Sequence, residues 1–145
     1  MTSLPTPVRI TRDQMLMEIA NVVSKRGTCL RASVGAVIAR EGRIISTGYV
    51  GAPAGLPDCI SVGCDIGTHK GCTRTVHAEI NAIAFAAKHG IATDDSTIYS
   101  VLGPCYDCAK AIINSGIKRI VYGIEYRDIR GLNLLRSANL VVDKL

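Results

Sequence analysis

The chain has 145 residues, of which 48% are hydrophobic and 20% charged, with a formal net charge of +5 and six cysteines. One domain of this size, residues 1–145, is expected to bury a core without disulfide staples. No apolar run reaches the roughly 20 residues of a membrane span, and the first residues, MTSLPTPVRITRDQM, lack the continuous apolar stretch of a secretory signal. A soluble, cytoplasmic protein is expected. Its basic residues are scattered rather than blocked, which suits solubility or an anionic small molecule. With only 4% aromatic residues and no basic cluster interleaved with them, a grip on RNA is not expected.

In chain order, Thr11, Arg12, Asp13 and Gln14 form a capping box, and Met15, Leu16, Ile19, Ala20, Val22 and Val23 follow at helical spacing. Gly27 ends that helix. VGAVIA (34–39) and RIISTGYV (43–50) are strands joined by the hairpin dipeptide Glu41-Gly42. Residues 51–74 hold Gly, Pro, three Cys and His69 with little periodicity, and so long a loop in a compact domain is functional or tied down. A second helix is predicted from about Val76 to Lys88. It has almost no polar face and is expected to be buried nearly all round. TIYSVL (97–102) is a strand, Pro104 is expected in the first turn of a third helix ended by Gly116, and KRIVYGI (118–124) is a strand. A short helix from about Leu132 and a strand at 139–143 finish the chain. The alternation predicts an α/β fold: a mixed sheet of about five strands with helices on its faces.

Two stretches carry chemistry. TVHAEINAI (75–83) places His77 and Glu79 at the head of an apolar helix that needs neither for packing. GPCYDCAK (103–110) places Cys105 and Cys108 one turn apart at a helix start, where free N–H groups and the dipole favour thiolates. Alone, Cys-x-x-Cys fits half a zinc site or a redox pair equally well, although a redox pair is expected earlier in a βαβ unit. His77 favours zinc. One His and two Cys leave a fourth position open, the arrangement of a catalytic zinc, whose water falls from a pKa of about 15.7 to around 7. Glu79, next to the ligand but not itself a ligand, is placed to carry protons. His-x-Glu followed 25 residues later by Pro-Cys-x-x-Cys is the zinc deaminase pattern. A zinc-binding module without activity has no need of Glu79.

From about Thr28 to Tyr126 the sequence resembles the cytidine deaminase-like superfamily, and within it the deoxycytidylate (dCMP) deaminases. The likeness lies in CLRASVGAVIAREGRIISTGY, GAPAGLPDC, TVHAEINAI, GPCYDCAKAIINSGIKRIVYG and EYRD. The resemblance implies a three-layer α/β/α fold with a five-stranded mixed sheet. It implies hydrolytic loss of ammonia from C4 of a cytosine nucleotide, dCMP to dUMP, a step that supplies the dTTP precursor. Glu79 is expected to protonate N3 and then the departing amine. The Ala78 N–H is expected to orient the base carbonyl, and Tyr126 to line the pocket. Homo-oligomers, often hexamers, with control by dCTP and dTTP are also implied. The alternatives are a zinc deaminase of another cytosine nucleotide, nucleoside or modified cytosine and, more remotely, of tRNA adenosine or guanine; the GAPAGLP block argues against the last two.

The sequence departs from the family pattern at Val50, where an Asn is usual, and at Val101 and Gly103, where Thr and Ser are usual; each change is expected to remove a polar group near the pocket. Cys59, Cys64 and Cys72, with His69 nearby, have zinc-knuckle spacing. The resemblance adds Cys29, giving a closed second, structural zinc of Cys29, Cys59, Cys64 and Cys72 with His69 as substitute. Such a site would order the 51–74 loop. Arg31, Arg74, Lys110 and Arg127, and the backbone from Gly51 to Gly55, are candidates for a substrate phosphate.

Overall fold

The computed structural model describes residues 2–68 and 71–145. Helix α1, Arg12–Ser24, starts at the expected capping box: the Gln14 N–H donates to the Thr11 hydroxyl at 3.0 Å, and the Thr11 N–H donates to the Gln14 side-chain oxygen at 2.8 Å. A cap of this kind is worth about 1 kcal/mol. Strands β1, Gly35–Arg40, and β2, Arg43–Tyr49, form the predicted hairpin. Glu41 and Gly42 turn it with φ of 53° and 74°, the double positive φ that matches strand twist in a two-residue loop.

The remaining elements are α2 (Cys59–Val62), α3 (Ala78–Lys88), β3 (Thr97–Leu102), α4 (Tyr106–Asn114), β4 (Arg119–Ile124), α5 (Arg130–Ser137) and β5 (Val141–Lys144). The sheet runs β2-β1-β3-β4-β5. β1 is antiparallel to both neighbours, while β3, β4 and β5 are parallel and joined through α4 and α5. This is the expected five-stranded mixed sheet.

Two glycines show which helix covers which face. A Cβ on Gly35 would meet the α1 backbone, 2.2 Å from the Ala20 carbonyl oxygen, and one on Gly48 would meet the α3 backbone, 2.3 Å from the Ala78 carbonyl oxygen. Gly35 pairs with Tyr49, so Gly48 points to the opposite side of the sheet. Helix α1 therefore covers one face and α3 the other. On the α1 face, Tyr99 donates its hydroxyl to Asp13 at 2.7 Å, and Arg119 grips both Asp13 oxygens at 2.9 and 2.7 Å. That guanidinium holds the Asp13 carboxyl below its usual range against the effect of burial. The core between the layers is built from Leu16, Ile38, Ile98, Ile112, Ile120 and Leu135.

Three expectations change. Helix α3 is not buried all round: Ala78, Glu79, Ala82 and Ala86 are buried, but Ala84 and Ala87 are exposed and Phe85 is 48% exposed. A helix laid on one face of a sheet hides one stripe, and nothing in a single chain covers the other. Pro104 precedes the helix rather than entering its first turn, because Cys105 is the N-cap of α4. The 51–74 segment is less irregular than its composition suggests. Asp58 caps α2 by accepting the Ser61 N–H at 2.9 Å, and isolated bridges join Ile66 to Cys72 and Gly51 to Val76. Among the described residues, no helix is long and apolar enough to cross a membrane.

Candidate active site

The ends of two helices build the site. His77 is the N-cap of α3, in extended conformation, and Glu79 is the second residue of that helix. The bridge between Gly51 and Val76, with N–H to carbonyl bonds of 3.2 and 2.8 Å, fixes the chain as it enters. Cys105 caps α4, its sulfur accepting the Cys108 N–H at 3.4 Å. A Cβ on Gly131 would fall 2.3 Å from the Pro104 carbonyl oxygen, so the start of α5 supports this corner from behind.

The structure brings His77, Cys105 and Cys108 together. His77 Nδ1 lies 3.3 Å from Cys108 Sγ and 3.4 Å from Cys105 Sγ. Ligands on a tetrahedral zinc, at about 2.05 Å for nitrogen and 2.3 Å for sulfur, stand about 3.6 Å apart, so this donor set fits the ion. The three groups share their protons unevenly. The Cys105 thiol is drawn down to about 4 by its bond to Cys108 and by His77, against its burial. Cys108 is pushed up by that shared contact, by burial and by Glu79. His77 is raised by its bond to Cys105, with burial opposing. Glu79, only 4% exposed, is raised by burial, while the Ser100 hydroxyl and His77 oppose the rise.

A cavity of about 280 Å³ opens beside this group. Ala78, Glu79, His77, Cys105, Val50 and Tyr126 line it, with Arg31 and Arg127 also on the wall. Of the expected contact residues, Ala78, Val50, Tyr126 and Arg31 reach the cavity. Gly51 does not line it, because its N–H and carbonyl are committed to Val76. The structure also sorts the four cations. Arg74 donates to the Gly63 carbonyl at 3.1 Å, and Lys110 pairs with Asp107 at 2.9 Å and does not line the cavity. Arg127 lies 5.4 Å over the Tyr126 ring.

Val50 presents a buried apolar wall, as its residue type implies. Gly103 lines the cavity, and an added Cβ would sit in ordinary van der Waals contact, 3.4 Å from the Tyr126 N. Val101 is a correction. It does not line the cavity, since it shares the α1 face with Tyr99. The polar group on this strand is Ser100, one residue earlier and on the α3 face, which donates to Glu79 Oε1 at 2.9 Å. Sequence reasoning missed Ser100. Its signal was a small polar residue next to the apolar end of the strand TIYSVL, at a position whose partner face depends on the sheet.

The second cysteine group forms in part. The sulfurs of Cys59, Cys64 and Cys72 lie within 4.8 Å of one another, with Cys59 and Cys72 3.6 Å apart. Sulfurs on a tetrahedral zinc stand about 3.8 Å apart. Burial, with the neighbouring sulfurs, pushes the Cys59 thiol up to about 12. For Cys72, backbone amides of Asp65, Arg74 and Thr75 outweigh burial and bring it down to about 7. Cys29 is not in the group; its sulfur accepts the Arg31 N–H at 3.4 Å, and it lines the cavity together with Cys72. His69 lies outside the described residues.

Comparison with known proteins agrees with this geometry. Residues 10–124 match the family model for the cytidine and deoxycytidylate deaminase zinc-binding region. The chain is 43% identical over 120 residues to ComE operon protein 2 of Bacillus subtilis (strain 168), covering 82% of this chain and 62% of that protein. It is 38% identical over 144 residues to the deoxycytidylate deaminase of Enterobacteria phage T2, covering 74% of this chain and 77% of that one. The crystal structure of dCMP deaminase from the cyanophage S-TIM5, in complex with dCMP and dUMP, superposes with a TM-score of 0.82 at 30% identity, covering 91% of this chain and 95% of that one. With a zinc-fitting His-Cys-Cys group, a buried carboxylate beside it and a family match across most of its length, the chain belongs to the cytidine and deoxycytidylate deaminase family.

Proposed function

We propose that the protein is a zinc-dependent hydrolase that converts dCMP to dUMP and ammonia. The observation that carries this is the buried Glu79 carboxylate beside His77, Cys105 and Cys108 in one cavity. The similarity to dCMP deaminases of phage T2 and cyanophage S-TIM5 supports the choice of nucleotide. His77, Cys105 and Cys108 hold the ion, which supplies a Lewis acid that makes a water acidic enough to be a nucleophile near neutral pH. Glu79 takes one proton from the attacking water and passes it to N3 of the pyrimidine, then takes the second from the oxygen now bonded to C4 and passes it to the amine as the C4–N bond breaks. The Ala78 N–H orients the base carbonyl. Val50 and Tyr126 wall the cavity, and the apolar Val50 side chain excludes water on its side without selecting by a hydrogen bond.

Arg31 and Arg127 are proposed to hold the 5′-phosphate, since both line the cavity and Arg74 and Lys110 do not. Zinc-loaded protein incubated with dCMP should release dUMP, read by chromatography, with deoxycytidine, cytidine, dCTP and 5-substituted dCMP as comparisons. Arg31→Ala or Arg127→Ala should raise KM for dCMP about tenfold or more and leave KM for deoxycytidine nearly unchanged. Equal effects on both substrates reject the residue, and no dUMP from wild-type protein rejects the substrate.

A second, structural zinc on Cys59, Cys64 and Cys72 is proposed on the fit of their sulfur positions. Metal analysis should find about two zinc ions per chain in the wild type and one in Cys59→Ser. One ion per wild-type chain removes the proposal. Homo-oligomer formation is proposed as well, supported by the uncovered face of α3 at Ala84, Phe85 and Ala87. Control by dCTP and dTTP belongs with it, by family likeness.

A further inference from the structure

We propose that Ser100 is a positioning residue for Glu79. Ser100 sits in β3 between β1 and β4, in register with Ala36 on one side and Tyr122 on the other, and is 0% exposed. A hydroxyl in that place is costly unless it is bonded. It has two partners, both acceptors: Glu79 Oε1 at 2.9 Å and the Leu102 carbonyl oxygen at 2.7 Å. A serine hydroxyl carries one hydrogen and two lone pairs. The three oxygens therefore accommodate either state of Glu79 without moving. When Glu79 is a carboxylate, the hydroxyl hydrogen points to Oε1. When Glu79 carries its proton on the other oxygen, the hydroxyl hydrogen still points to Oε1. Ser100 keeps its own hydrogen throughout, so no proton passes through it.

The strand backbone gives this contact its force. Hydrogen bonding on both sides fixes β3, and Ser100 pins one carboxylate oxygen to it. Glu79 itself lines the cavity that His77 and Cys105 share. A carboxylate that must meet a water, N3 and a departing amine in turn gains from being held at one angle, since small misplacement costs rate rather than substrate binding. This inference rests on the reading of Glu79 as the proton carrier.

The test compares wild type, Ser100→Ala, Ser100→Thr and Glu79→Gln as zinc-loaded proteins. The measurements are kcat and KM for dCMP, zinc per chain, melting temperature, and affinity for a pyrimidin-2-one deoxynucleotide whose hydrate mimics the tetrahedral centre. Ser100→Ala should lower kcat about tenfold and weaken the hydrate mimic by a similar factor, with KM, zinc content and melting temperature near wild type. Ser100→Thr should recover most of the loss. Adding Ser100→Ala to Glu79→Gln should cost the mimic little more than Glu79→Gln alone, because Ser100 acts by placing a proton carrier that Glu79→Gln has already removed. Wild-type kcat in Ser100→Ala overturns the proposal, as does a loss that tracks zinc or melting temperature, or an additive loss in the double variant. If Glu79→Gln itself stays active, the reading of Glu79 has failed; if it is inactive while Ser100→Ala matches wild type, only the role of Ser100 has.

Discussion

Glu79→Gln is expected to keep its zinc and lose kcat by roughly 10²–10⁴-fold, the range for removing a general acid–base group. Gln has nearly the shape of Glu, and its amide oxygen still accepts the Ser100 hydroxyl that now reaches Oε1 at 2.9 Å. The three ion-holding groups, His77, Cys105 and Cys108, are untouched. What disappears is a site that can take a proton and give it back. Glu79 suits this work because burial already makes its carboxyl hold a proton more readily than a surface glutamate, while Ser100 and His77 keep the ionised form within reach. The loss should fall on kcat, with KM for dCMP changing far less. Steady-state kinetics with parallel zinc analysis checks it. Activity within a factor of about ten of wild type, in protein with full zinc, would remove Glu79 from the mechanism.

Gly48→Ala should lower stability by about 3 kcal/mol or more, or roughly 10 °C in melting temperature. The new Cβ would lie 2.3 Å from the Ala78 carbonyl oxygen and 2.5 Å from the Ala82 N, both backbone atoms of the first turns of α3. Backbone cannot swing aside as a side chain does, so helix and strand must separate. The part of α3 pushed outward follows directly on His77 and contains Glu79. Deaminase activity and zinc affinity should therefore fall along with stability. Gly35→Ala is the control. Its Cβ would lie 2.2 Å from the Ala20 carbonyl oxygen, the same kind of clash but against α1 on the opposite face. That variant should melt early yet retain more zinc and more activity at low temperature than Gly48→Ala. Equal behaviour of the two would mean that α3 is not held in place by its approach to β2.

The sequence by itself determined whatever rests on neighbours in the chain. The capping box at Thr11 and Gln14, the Glu41-Gly42 turn and the alternation of strands and helices need only local backbone preference. So does the Pro-Cys-x-x-Cys turn that presents two sulfurs at the head of α4. The closeness of His77 and Glu79 was legible for a related reason: the proposed chemistry calls for those side chains at that spacing whatever surrounds them. Tertiary structure decided the rest, because it depends on which surfaces meet. Four cations looked equivalent until packing put Arg31 and Arg127 on the cavity wall and kept Arg74 and Lys110 off it. Strand parity turned Val101 toward α1 and Ser100 toward Glu79, a distinction no local pattern carries without knowing which helix covers which face. Cys29 and Cys72 reach one cavity while only Cys72 joins the sulfur cluster, and the apolar stripe on α3 is half covered because a sheet offers a helix one side. Local sequence sets backbone geometry over a few residues; contacts between distant residues exist only once the layers have packed.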